Sequence, residues 1–223
     1  IPLAIRWPAG TTTPGRVVED FVDFTDIAPT LLDLAGIDEA DSGMAAITGK
    51  SWRGLLESDH SGRIEEWRDH VLVGKERTDI GRPYDWGYPI RGILRDDFLY
   101  LRNYEPDRWP AGNPETGYLD TDASPTKTHI LKAGRRDRSD KYWRLNFGMR
   151  PAVELYDLRA DPDGAVNIAR AADQGERIAR LVRPAFGEGH AQPVAGHPVV
   201  AGRREQSAGE VDDLGGFGGG QPA

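Results

Sequence analysis

The sequence contains no cysteine. That removes disulfides, thiolate metal sites and a cysteine nucleophile from these 223 residues, and it leaves the compartment open. No stretch approaches the roughly 18 consecutive apolar residues of a membrane-crossing helix, so no membrane span is expected. A basic field is also missing. With 36 acidic against 28 basic residues the net charge is −8, and no nucleic-acid partner is expected, since phosphates would meet no positive potential. Arginines gather only locally, at 91–108 and 135–150, which leaves an anionic small ligand open. His60, His70, His129, His190 and His197 show no metal-ligand spacing. There is no Gly-x-Ser-x-Gly elbow. Thr48-Gly49-Lys50-Ser51 lacks the glycine pattern and the preceding strand of a phosphate loop. Asp96 and Asp97 sit in a turn or on opposite faces of a strand, so they make poor catalytic partners.

What is present is a charged loop followed by two alternating runs. Lys75, Glu76, Arg77, Asp79, Arg82 and Asp85 lie among glycines and a proline. Arg91, Ile93 and Arg95 then alternate with Ile90, Gly92 and Leu94, and Phe98 and Tyr100 alternate with Leu99 and Leu101 around Asp96-Asp97. This predicts a β-hairpin with a two-residue acidic turn. A polar loop feeding a rigid hairpin suits binding groups held against a ligand. A surface loop of solvated charges is the competing reading.

Before the loop, residues 3–5 read as a short strand and residues 16–24 as a strand or an extended connection. Thr25 or Asp26 is expected to cap a helix to Leu34 or Ala35, with Pro29 in its first turn and Gly36 at its end. A capping role for Asp26 outweighs a metal-ligand role. Ile27, Leu31 and Leu34 at i, i+4 and i+7 predict a buried stripe. Trp52, Leu55 and Leu56 predict a helical turn, and residues 69–74 a strand.

After the hairpin, residues 105–122 are rich in turns, with Trp109 and Tyr118 favouring order. Residues 126–132 read as a short helix and 135–141 as an exposed charged stretch. Residues 154–158 form a strand closed by a turn at Asp161-Pro162-Asp163-Gly164. A helix is expected over 171–183 on Ile178, Leu181 and Val182, stopped by Pro184. The Gly-, Ala- and Gln-rich text of 187–223 reads as disordered.

Three separated segments together resemble the C-terminal half of a sulfatase, in the alkaline-phosphatase-like superfamily. They are Pro2-Leu3-Ala4-Ile5-Arg6-Trp7-Pro8 with Phe24-Thr25-Asp26-Ile27-Ala28-Pro29-Thr30, then Thr48-Gly49-Lys50-Ser51-Trp52, and Glu154-Leu155-Tyr156-Asp157-Leu158 with Asp161-Pro162 and Asn167-Ile168-Ala169. The resemblance covers about residues 1–183. Gly74-Lys75-Glu76-Arg77, Gly87-Tyr88-Pro89-Ile90-Arg91 and residues 103–110 look most like heparan N-sulfatases (sulfamidases), enzymes of glycosaminoglycan degradation, and their bacterial relatives.

The resemblance implies an α/β sulfatase-type fragment. Residues 1–58 would be the tail end of the catalytic domain, 59–184 a C-terminal α+β subdomain with a small antiparallel sheet and a packed helix, and 185–223 a tail. The opening Ile-Pro-Leu, without an initiator Met, also reads as a start inside an element. In the intact enzyme a hydrated formylglycine beside Ca²⁺ would attack the sulfur of an N- or O-sulfate. No Cys/Ser-x-Pro/Ala-x-Arg motif occurs here, so nucleophile and metal ligands would come from a missing N-terminal catalytic half, and the chain alone would be inactive. This half would contact a sulfated carbohydrate through Glu76, Arg77, Thr78, Asp79 and Arg82. Arg91 would orient the loop or pair with a carboxylate. An internal salt bridge from Arg91 to Asp79 or Asp85 is the alternative for that residue. A secreted or periplasmic setting is what the resemblance suggests. A non-catalytic carbohydrate-binding or structural module is the rival reading.

Overall fold

The structure, a computed structural model, describes residues 3–77, 84, 86–115 and 121–186. Its centre is an antiparallel sheet of β1 (His70–Lys75), β2 (Ile90–Arg95), β3 (Phe98–Asn103) and β4 (Val153–Asp157), in the order β1-β2-β3-β4. The expected hairpin is the middle of this sheet. Asp96 and Asp97 both have positive φ, 51° and 63°, the backbone signature of a primed two-residue turn whose twist matches the strands it joins.

Register then builds the core. Ile93 faces Tyr100 and Tyr100 faces Leu155, one row across three strands. Against it lies α5 (Gln174–Phe186), which contributes Leu181 and Val182. All five are buried, with Phe98, Val153, Ile168 and Ile178 packed around them. Full burial of such side chains is worth about 1.5–3 kcal/mol each, so this row and helix are the main apolar stabiliser of the sheet. The small antiparallel sheet with a packed helix is thus the one expected. The helix itself differs: it begins at Gln174 and runs through Pro184 to Phe186. A proline in the last turn removes one backbone hydrogen bond. The preceding turns, docked on the sheet, hold the helix past it.

The opposite face of the sheet lies under α4 (Lys141–Phe147) and borders a cavity of about 880 Å³, lined by Leu99, Leu101, Glu154, Tyr156 and Leu145 among others. Glu154 is buried there and accepts hydrogen bonds from the Tyr156 hydroxyl and from Asn103 Nδ2, the latter at 2.7 Å. Burial, then the bond to Glu154, pushes the Tyr156 phenol well above its usual value. α4 was not expected. Residues 126–132 and part of the charged stretch belong to a longer helix, α3 (Pro125–Arg136), started by Ser124, whose side chain accepts from Lys127 N–H. Asp140 accepts from Trp143 N–H and starts α4, which buries Trp143 and Phe147 at i and i+4. Trp109 meets Trp143 edge-on at 6.2 Å and ties the turn-rich 105–115 stretch to α4.

Residues 3–69 are built differently. Residues 3–5 are not a strand; they run without a partner, and a strand is stable only when its backbone groups pair. Residues 16–24 are an extended connection with a single parallel bridge, Val18 to Gly62. α1 (Ile27–Ala35) ends at Gly36 in the left-handed conformation, φ 68°, as expected. Asp26 stands at the N-cap position of α1, as expected, but its side chain makes no capping bond there, and Asp23 caps the 3₁₀ turn Phe24–Asp26 that leads into the helix.

Asp26 is instead a buried acceptor. It takes Lys50 N–H at 2.7 Å, the Trp52 indole at 2.9 Å and the Arg68 guanidinium at 2.9 Å. Thr30 accepts from Trp52 N–H, and Asp33 from the Ser51 hydroxyl. A polar stripe, Asp26-Thr30-Asp33, therefore faces the Gly49–Trp52 segment, and only glycine fits at position 49, since a Cβ there would lie 2.1 Å from the Thr25 carbonyl oxygen. The apolar stripe points the other way, correcting the expected burial: Ile27 and Leu31 are exposed, Leu31 by 62%. α2 (Arg53–Glu57) follows Trp52 and buries Leu55.

Candidate functional site

The charged loop joins β1 to β2, so strand pairing fixes both of its ends, with Lys75 opposite Ile90. One further bond closes its neck: Tyr88 N–H donates to the Glu76 carbonyl at 2.7 Å. Gly87 permits that approach, since a Cβ on it would sit 2.6 Å from the same carbonyl oxygen. Tyr88 is buried behind the neck and, with Lys75 and Ile90, lines the cavity under the sheet. The loop thus leaves and re-enters the sheet at a point fixed by strand pairing.

Of the six candidate site residues, the structure brings two into contact with each other. The Arg91 guanidinium pairs with the Glu76 carboxylate and also donates to the Ile90 carbonyl at 2.9 Å. Arg91 therefore has a carboxylate partner, and it is Glu76. Arg77 is exposed beside Glu76 at the start of the loop. Thr78, Asp79 and Arg82 lie outside the described residues, as does Asp85, so Asp79 and Asp85 carry no structural account as partners of Arg91. Both members of the Glu76–Arg91 pair are well exposed, and such a pair adds little to stability. What it does is orient. It presents carboxylate acceptors and guanidinium donors side by side, a set that suits sugar hydroxyls, which both donate and accept, or sulfate oxygens, which only accept.

Three residues near the neck were not singled out by the sequence. Trp86 is 49% exposed, and the guanidinium of Arg108 lies 4.9 Å from its ring centre. Arg108 is itself held, donating to the Gly87 carbonyl at 3.0 Å and pairing with Glu105 at 3.4 Å. Tyr84 lies with its ring 5.5 Å from that of Trp86, tilted by 38°. The available signal was an aromatic pair inside a Gly/Pro-rich polar stretch, where a buried role has few partners.

No group of three or more His, Asp or Glu side chains among the described residues is arranged to hold a metal ion. Asp20, Asp26 and Asp33 are each taken up by internal donors: Asp20 by Ile64 and Glu65 N–H, Asp26 by Lys50, Trp52 and Arg68, and Asp33 by Ser51 and Arg53.

Residues 1–74 match the family model of N-sulphoglucosamine sulphohydrolase, C-terminal. The chain is 23% identical over 186 residues to an ulvan-active sulfatase of Formosa agariphila, an alignment covering 83% of this chain and 32% of that protein. The chain therefore spans about a third of the curated relative's length. A solved structure of a protein in complex with its substrate D-glucosamine-2-N,6-O-disulfate aligns at 20% identity and a TM-score of 0.40, over 71% of this chain and 22% of the other. A Bacteroides thetaiotaomicron VPI-5482 protein assigned as a sulfatase aligns at 17% identity and a TM-score of 0.38, over 78% of this chain and 27% of the other. The family match and the curated relative support a C-terminal sulfatase portion.

Proposed function

We propose that this chain is the C-terminal part of a sulfuric-ester or sulfamate hydrolase that acts on sulfated sugars, with heparan N-sulfatase-like substrates favoured, and that it supplies the wall of the substrate pocket rather than the reacting groups. The observation that carries the proposal is the match of residues 1–74 to the C-terminal region of N-sulphoglucosamine sulphohydrolases, which ends at Gly74 within β1, just before the charged loop. The Glu76–Arg91 pair at the neck of that loop supports the assignment, because it offers a sugar both acceptors and donors.

Calcium and a formylglycine, which sulfatases use, do not fit this chain. It has no cysteine and no Ser-x-Pro/Ala-x-Arg motif, and among the described residues no group of acids is arranged to hold a metal ion. No step of the proposal runs through either group; both belong to a preceding catalytic half. The surface offered to that half is the outer side of the Phe24–Asp26 turn and α1, where Phe24, Ile27 and Leu31 are each exposed. An exposed run of large apolar side chains on a helix whose other face is fully engaged fits a protein neighbour better than water. Within the pocket, Glu76, Arg77, Thr78, Asp79 and Arg82 would contact hydroxyls or flanking anions of the sugar, and Arg91 would fix the position of Glu76.

Assay of the intact protein and of residues 1–223 on glucosamine N-sulfate, on glucosamine 6-sulfate and on an aryl sulfate tests the proposal. Turnover is expected with the intact protein and none with the chain alone, since the chain carries no nucleophile for the chemical step. An intact protein inert toward every sulfated compound, or a chain that turns them over by itself, would overturn it.

A further inference from the structure

The neck of the loop carries a feature that the ion pair does not use. Trp86 leads directly into a held backbone: Tyr88 N–H is bonded to the Glu76 carbonyl, and the Gly87 carbonyl accepts from Arg108. Arg108 in turn rests against the Trp86 ring at 4.9 Å, held by Glu105. A guanidinium stacked on one face of an indole fixes the ring's orientation and leaves a positive edge beside it. About half of the tryptophan surface still faces solvent, and Tyr84, 87% exposed, continues the aromatic surface 5.5 Å away. Two further cations are near in the chain: Arg77 follows Glu76 in the loop, and Arg91, on β2, pairs with Glu76.

We infer that Trp86, oriented by Arg108 and extended by Tyr84, is a stacking platform for a sugar ring of a sulfated saccharide. The chemistry selects the occupant. A pyranose ring has an apolar C–H face that fits a flat indole, and its sulfate groups lie at its edge, where the Arg108 charge stands. A neutral sugar would use the ring and not the guanidinium. An apolar peptide would use the ring and gain nothing from the cation. The inference rests on the sulfated-carbohydrate reading above and adds to it residues that reading does not contain.

Affinity electrophoresis of the full chain through gels containing dextran sulfate, with plain dextran in parallel, tests it. The unaltered chain is expected to be retarded by dextran sulfate and much less by dextran. Trp86→Ala should weaken the apparent affinity for dextran sulfate about tenfold, as loss of an aromatic anchor does at other interfaces. Trp86→Phe should keep most of the retardation. Arg108→Ala should lose retardation by dextran sulfate while leaving that by dextran unchanged. Melting temperatures should stay at the unaltered value in both Trp86 variants, because the exposed ring has little packing to lose. Equal retardation of Trp86→Ala and the unaltered chain would overturn the inference. If Glu76→Ala and Arg91→Ala then lost retardation, the reading of the loop would stand without the platform. An unaltered chain retarded by neither polymer would remove the carbohydrate reading and the platform together.

Discussion

Residues 3–69 and the sheet of residues 70–186 are held together by opposite means. The sheet closes over an apolar row, Ile93, Tyr100 and Leu155 beneath Leu181 and Val182. The first region turns its polar side inward. Its hub is Arg68, almost fully buried, which pairs with Asp26 at 2.9 Å and Glu65 at 2.7 Å and donates to the Ser51 carbonyl at 2.9 Å. Three chain segments meet at that one guanidinium. The difference teaches where each region expects its neighbour. The first region spends its hydrogen-bonding groups on its own interior and exposes Phe24, Ile27 and Leu31, the surface proposed above for the catalytic half. A sheet with a filled core needs no cover on that face.

The comparison breaks most sharply at its two centres. Arg68→Ala should cost about 3–5 kcal/mol, because it strands the buried Asp26 carboxylate without its cation. Leu155→Ala should cost about 2–5 kcal/mol through lost burial and the cavity left in the row. Urea denaturation of each variant measures both. If Arg68→Ala were as stable as the unaltered chain, the hub would be incidental.

pH should separate the regions next. Burial raises the Asp26 carboxyl, but hydrogen bonds from Lys50, Trp52, Asp23 and Arg68 outweigh it and hold the group below its usual 3.8. A folded pKa below the unfolded one gives stability that is present above the unfolded value and lost as pH falls through the folded one. The first region should therefore loosen below about pH 4, reported by tryptophan fluorescence around Trp52. Burial raises both Tyr100 and Tyr156, the latter aided by its bond to Glu154. Their neutral forms are favoured in the fold, so that stability is full below the unfolded value near 10 and is lost as pH rises above it. The sheet should loosen at the alkaline end, and Tyr156→Phe should remove part of that limb. A single transition common to both regions at both extremes would erase the distinction.

The smallest effect on stability is expected at the uncovered stripe. Leu31→Ser should change the stability of the chain by no more than about 0.5 kcal/mol, yet weaken its association with the catalytic half. Equal association of the two forms in a pull-down would show that the stripe is not the contact.

The central hairpin was legible in the sequence because period-two alternation and an Asp-Asp turn are local signals, and the β2–β3 register follows from that turn. The helix on 174–186 was legible from Ile178, Leu181 and Val182. α1 was legible as an element and misread in orientation. Its apolar stripe and its polar stripe are equally periodic, and only the distant Gly49–Trp52 segment decides which one is buried. The Arg68 hub joins residues 42 positions apart, and no window of sequence contains it. In the site, Glu76 and Arg91 were visible as charges, but their pairing was not, since it depends on strands β1 and β2 meeting at Lys75 and Ile90. Trp86 and Arg108 were missed because they come from two loops that only the fold brings together.

The central claim is that the loop after β1 faces a sulfated sugar. Its most direct measurement is kcat/KM of the intact protein carrying Glu76→Ala or Arg77→Ala, taken alongside the melting temperature of each. Loss of a charge-assisted hydrogen bond to the sugar, worth about 1.5–3 kcal/mol, should lower kcat/KM roughly ten- to a hundredfold. The melting temperature should not move, because exposed loop charges hold little of the fold. Unchanged kcat/KM together with a clearly lowered melting temperature would make Glu76 and Arg77 parts of the scaffold and contradict the claim.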